Sequence, residues 1–176
     1  LLSVHHGIFR DSGIVTANRD SKLYSVTDFV KKDEMEIDKT VFRVTQASYH
    51  DYIGQCVDFF YKENKQDIPV IVSMAAKKSA NTILTLHAEE IQEVRDNKIT
   101  YTKDEKKKNA KLTTAFAYLY NGRLKQIDTL EELEIEEGTL TLIDNDGDEI
   151  YDAVLAKEPK TYVVTGIDPI YSIIHY

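Results

Sequence analysis

The residues of this 176-residue chain best spaced to do chemistry lie in Leu140-Thr-Leu-Ile-Asp144-Asn-Asp146-Gly-Asp148-Glu-Ile-Tyr-Asp152-Ala-Val154. Asp144, Asp146 and Asp148 alternate, and Asp152 follows one helical turn later in sequence. A tight turn brings oxygens from such positions to one side, where a hard cation such as calcium takes them. A simpler reading needs no metal. Asn145-Asp-Gly-Asp148 is also a hairpin turn, with Asp146 and Gly147 supplying the positive-φ positions of a type I′ connection. Counted from Asp144, the EF-hand pattern asks for glycine at the sixth position and glutamate at the twelfth, where this chain has Glu149 and Leu155. A helix-loop-helix calcium site is therefore not expected. The expectation is a hairpin turn without metal, with Asp144, Asp146, Asp148 and Asp152 as the calcium ligands if a metal is bound.

Little else in the sequence points to catalysis. The single cysteine, Cys56, rules out an internal disulfide and a cysteine-based zinc site. It lies in the strand-like run Gln55-Cys-Val-Asp-Phe-Phe-Tyr61, which predicts a buried structural thiol. His50 and His87 could approach it in the fold, but no cysteine-protease signature surrounds it. The pair His5-His6 has no companion ligand nearby and reads as solvated or packed. Carboxylates number 30, yet no pair sits in a context that shifts its pKa, and there is no phosphate loop, nucleophile elbow or HExxH motif. No catalytic residue and no cofactor other than calcium is expected, and the chain is read as a non-enzyme.

Short β-prone runs carry these residues. The opening 5–17 holds short β-prone runs separated by glycines, and strands are predicted over 36–45, 55–62, 69–75, 82–87, 98–102, 115–120, 139–143, 150–156 and 161–165. Short helical turns are expected at 48–53, with Ser48 as N-cap, at 88–94, and at 129–137 before Gly138. Asn121-Gly122 between two β-prone runs is the strongest hairpin signal. Lys103-Asp-Glu-Lys-Lys-Lys108 reads as a solvated loop. The separators are too short for βαβ units, so the fold class is mainly β: an antiparallel meander, small barrel or sandwich with one to three short helices. The expected units are 1–46, a strand-rich segment; 47–108, a small β module; and 109–176, a C-terminal hairpin and meander module, with 47–108 and 109–176 as one continuous domain in the alternative reading. The tail 168–176 is unusually apolar for a free end and is expected to pack on a neighbouring surface or to continue into another module.

Composition is that of a globular chain, with 42% hydrophobic and 30% charged residues. A net charge of −8 and a pI near 5.1 argue against nucleic acid or an anionic membrane as partner. No apolar run approaches the roughly 20 residues needed to span a bilayer, and no signal-peptide architecture opens the sequence. The first residue is Leu1, so a processed product or a piece of a larger polypeptide is expected.

Three segments recur in order within one loose family: Tyr52-Ile-Gly-Gln-Cys-Val-Asp-Phe-Phe-Tyr-Lys62, Ala117-Tyr-Leu-Tyr-Asn-Gly122, and Gly138-Thr-Leu-Thr-Leu-Ile-Asp-Asn-Asp-Gly-Asp148 with Tyr151-Asp152. Over residues 41–165 the chain resembles β-rich modules of bacteriophage virion structural proteins, and is similar to modules of bacterial surface-layer-type proteins. It departs from the pattern at Glu149, where glycine is usual. The resemblance implies a compact, noncatalytic virion component of the tail, baseplate or neck, acting through contacts with other subunits or itself in an oligomeric assembly. The alternative is a module of a secreted surface-layer or cell-wall-associated protein, stabilised by calcium. Eleven tyrosines and six phenylalanines would supply amphipathic contact area for either role.

Overall fold

The computed structural model describes residues 7–24, 30–64, 67–160, 166–168 and 173–175. The fold is mainly β, a small barrel and a coiled sheet with short 3-10 helical turns between strands. β1 (Ile8–Ala17), β2 (Glu34–Ile37), β3 (Thr40–Arg43), β4 (Cys56–Lys62) and β5 (Val70–Ala76) close the barrel in the order β1-β2-β3-β5-β4. Closure depends on a short parallel contact in which Arg43 lies beside Val70 and donates its backbone N–H to the Pro69 carbonyl at 2.8 Å. Alternate residues turn inward, because successive strand side chains face opposite ways. Val15, Met35, Ile37, Phe42, Val57, Phe59, Ile71 and Met74 thereby form one buried cluster. Phe42 meets Phe59 and Tyr61 edge-on, with ring centroids 5.1 and 5.4 Å apart.

The run 36–45, expected as one strand, is a hairpin. Asp38 and Lys39 take φ of 45° and 70° and turn the chain between β2 and β3. Neither is glycine, so composition gave no turn signal.

The second sheet contains β6 (Thr82–His87), β7 (Ile91–Arg95), β8 (Lys98–Lys103), β9 (Lys106–Tyr120), β10 (Arg123–Leu124), β11 (Thr139–Asp144) and β12 (Tyr151–Lys157). Its order is β6-β11-β12-β9-β8-β7, with β10 also on β9. β9 is long enough to serve two ladders: residues 106–111 pair with β8, while 117–120 run parallel to β12. The sheet therefore coils over itself, and Leu86 of β6 shares one core with Val94 and Ile99 of β7 and β8. Leu133, fully buried, plugs this core from a 3-10 turn over Leu130–Leu133, which begins with a Thr129–Glu132 capping box. Two further strands, β13 (Gly166–Asp168) and β14 (Ile173–His175), pair antiparallel. The expected strand 161–165 and His5-His6 lie outside the described residues, as does most of the apolar tail beyond the β13–β14 backbone.

Neither expected unit boundary coincides with a sheet edge. β1 to β5 close one barrel across residue 46, and residue 108 lies inside β9. Ser48 also sits within the 3-10 turn Ala47–Tyr52 rather than capping it, and Gln46 holds the cap position without a side-chain bond. The expected helix at 88–94 is a 3-10 turn of Ala88–Glu90 running straight into β7. Lys106–Lys108 belong to β9, and only Asp104-Glu105, at φ 53° and 60°, form the turn of what was expected to be a loop.

Candidate metal site at the junction of barrel and sheet

The acidic loop sits where barrel and sheet meet. A small cluster of Leu23, Ala117, Leu119, Ile143 and Ala153, with Ile53 and Leu124 against it, joins them through apolar contact. Polar ties reinforce the junction. The Asn81 side chain brackets Cys56, donating to its carbonyl at 2.7 Å and accepting from its N–H at 2.9 Å. Asn145, buried in the acidic loop, donates from Nδ2 to the Gly54 carbonyl at 3.0 Å. Gly54 has φ 82°, and a side chain there would press on Ile143 at 3.1 Å. Only glycine combines that backbone angle with that approach.

Asp144, the last residue of β11, is fully buried and organises the loop. Its Oδ1 accepts from the N–H groups of Asp146 and Gly147 at 3.2 and 2.7 Å, and its Oδ2 accepts from Glu149 at 3.1 Å. Asp146 and Asp148 repeat the motif toward Asp148 and Ile150, at 3.1 and 2.8 Å. Asp152 closes the ring by accepting from Asn145 N–H at 3.1 Å. The carboxylates thus replace the cross-strand ladder, and the two-residue hairpin expected here is a longer loop. Its left-handed residues are Gly147 and Glu149, at φ 84° and 67°, and not Asp146. Glu149 therefore adopts the conformation for which the EF-hand pattern uses glycine.

Asp144, Asp146 and Asp152 each present one oxygen within 4.8 Å of the others, a spacing a hard cation could bridge. Asp148 falls outside that group, so three of the four expected ligands converge. Partial burial raises the pKa of Asp152, and the charges of Asp146, Asp148 and Asp144 raise it further against the lowering effect of the Asn145 bond. From the β1–β2 connection comes Tyr24, 60% exposed as a residue, whose phenol is raised by the partial burial of its ring and then by Asp152 and Asp38. The loop backs onto the β5–β6 connection, where a side chain at Gly147 would reach the Ser79 carbonyl at 3.2 Å. Sequence reading missed Asn145 and Tyr24, since nothing local marks an amide whose partner lies in the other sheet.

Cys56 is half-buried, and its thiol is pushed up by burial. The charges acting on it are those of Lys77, Asp38 and Asp58, with neither His50 nor His87 among them. His50 lines an open cleft of about 380 Å³ with Arg19, Lys32 and Asp33. Its pKa is lowered by burial and then by Arg19, and its Nδ1 is buried without a hydrogen-bond partner. Among the described residues, no helix is long and apolar enough to cross a membrane. Comparison with family models, curated proteins and solved structures finds no match.

Proposed function

We propose that the chain is a noncatalytic module that works through protein–protein contacts, a structural component of a bacteriophage virion as its sequence resemblance implies. The observation that carries this reading is the outer edge of β6. Among the described residues β6 pairs only with β11, and its sequence Thr-Ile-Leu-Thr-Leu-His has neither lysine, acid nor proline. Natural edge strands are usually blunted by charge, proline or a covering element, because their free N–H and C=O groups recruit another strand. One end of this edge is guarded: Lys103 Nζ donates to the Thr85 carbonyl at 3.2 Å, and Glu90 accepts the His87 N–H at 2.7 Å. Among the described residues the Ile83 end has no such guard, and Ile83 is 49% exposed. Strand addition there would satisfy the edge and cover the side chain.

Ile83→Lys tests this reading. By light scattering, the purified chain is expected to associate with itself or with a co-expressed partner, and the lysine variant to lose that association while keeping its melting temperature within about 2 °C. Undiminished association in the variant would remove β6 as the contact.

The carboxylate triad favours a second reading, a calcium-stabilised module of a secreted surface-layer or wall-associated protein. Calcium at about 100 times its Kd is expected to raise stability by about 2.7 kcal/mol, or a Tm gain of roughly 5 to 10 °C. Asp152→Asn is expected to hold or raise the metal-free Tm, since it relieves a charge that its surroundings disfavour, and to abolish the calcium gain. Scanning calorimetry of both chains with and without calcium checks this. Equal gains would put the ion elsewhere.

A further inference from the structure

Charge is distributed very unevenly along this chain. Residues 98–111 hold six lysines against Asp104 and Glu105, a local charge of +4, which leaves −12 on the remainder of a chain of net charge −8. Residues 126–156 hold eleven acids and no lysine or arginine. The six lysines lie on one β ribbon. Because Ile99 and Ala110 face the core, alternation places Lys98, Lys107 and Lys111 on the opposite, outer face, with Thr100, Thr102 and Asn109 between them. Thr100 Oγ1 donates to Asn109 Oδ1 at 2.9 Å, which ties the middle of that face.

Ion pairs among the described residues do not neutralise this charge. Among the described residues Lys98, Lys106, Lys107, Lys108 and Lys111 pair with no acid. Arg95, opposite Lys98, is already engaged by Glu93 and Asp96, both at 3.4 Å. Lys98 stands directly across from Lys111, and Lys103 across from Lys106, like-charge pairings that weaken a ladder. The ribbon therefore gains from an opposing acidic surface. A second copy carries the same overall −8, but unlike a polyanion it offers both signs, with its acidic stretch in a fixed place beside its own lysine ribbon.

We propose that the β8–β9 lysine ribbon docks on the 126–156 acidic stretch of a second copy, through Glu134, Glu136 and Glu137, giving head-to-tail, salt-sensitive assembly. This deepens the assembly reading above and rests on it. Where each copy gives its ribbon to one neighbour and its acidic stretch to another, the contact is heterologous and propagates to a ring or filament, whereas a reciprocal pairing closes a two-fold dimer.

Two charge-reversed chains test it. One carries Lys98→Glu, Lys107→Glu and Lys111→Glu; the other carries Glu134→Lys, Glu136→Lys and Glu137→Lys. All six positions are exposed, and circular dichroism melts check that both chains fold. The screening length falls from about 30 Å at about 10 mM salt to about 3 Å at about 1 M. By sedimentation, the unaltered chain should exceed monomer mass at the lower salt and return to monomer at the higher. Each reversed chain alone should be monomeric at both, and an equal mixture should recover association. An unaltered chain that is monomeric at low salt overturns the proposal, as does a mixture that fails to recover, or a monomeric chain whose ribbon binds an added DNA duplex. Association that survives both reversals and high salt but is lost in Ile83→Lys also overturns it, while leaving the assembly reading standing. Salt-sensitive association untouched by Ile83→Lys supports this docking and removes β6 from that reading.

Discussion

Asp144→Ala is expected to destabilise the protein by about 3 to 4 kcal/mol, the largest effect of a single side chain outside the apolar cores. Asp144 is fully buried, and its two oxygens accept from three backbone N–H groups. Alanine leaves all three without an acceptor, and a carboxylate bond to a donor is about twice as strong as a neutral one. The loss spreads beyond the loop, because the adjacent Asn145 ties it to the Gly54 carbonyl of the barrel. Asp144→Asn is the control. It retains one carbonyl oxygen for Asp146 and Gly147 and forfeits the bond from Glu149, so a loss of about 1 to 2 kcal/mol is expected. Urea unfolding of the three chains, with the m-value held as a check on two-state behaviour, measures both. An alanine variant within about 1 kcal/mol of the parent would mean that the amides find other partners, and that the carboxylate does not organise the loop.

The second large effect is alkaline. Tyr118 of β9 is 2% exposed and its hydroxyl has no hydrogen-bond partner. Burial, then Tyr120, Glu158 and Glu132, push its pKa up to about 12. A folded-state pKa above the unfolded value of about 10 means that the folded chain holds the proton more tightly. The associated stability is therefore fully present below about pH 10 and is lost as pH rises toward about 12, by about 2 to 3 kcal/mol in all. Tyr118→Phe removes both the titration and the unpartnered hydroxyl. It should flatten the alkaline limb and leave stability at neutral pH unchanged or about 1 kcal/mol higher. Denaturant midpoints across that pH range compare the two chains. A limb of the same depth in the phenylalanine variant would assign it to Tyr101 or Tyr151, whose phenols burial also raises.

Strand alternation and one turn made most of the fold class legible. Asn121-Gly122 forms the two-residue turn its composition predicts, with φ of 49° and 81° between paired Tyr120 and Arg123. Turns of the same kind at Asp38-Lys39, Asp96-Asn97 and Asp104-Glu105 contain no glycine and gave no such signal, the last showing only as part of a longer expected loop, because tertiary pairing holds side-chain-bearing residues at positive φ. The barrel was legible only as one alternative. Its closure joins Arg43 to Val70 in parallel, a pairing that leaves no local trace. The acidic loop was legible as a cluster but not as a structure. Spacing named four carboxylates, yet which of them bonds to backbone and which faces the others depends on Asp144 being buried under the barrel, and burial across two sheets is not written in a nine-residue window.

The pairing of β6 with β11 sets an order of events during synthesis. β6 leaves the ribosome ahead of β7 through β10 and meets β11, its one sheet neighbour among the described residues, when Thr139–Asp144 emerges. Long-range pairings of this kind form late, because the intervening chain must be ordered before they repay its entropy. Until then an uncharged, β-prone strand has both flanks open, so nascent chains stalled before β11 are the species that chaperones must shield.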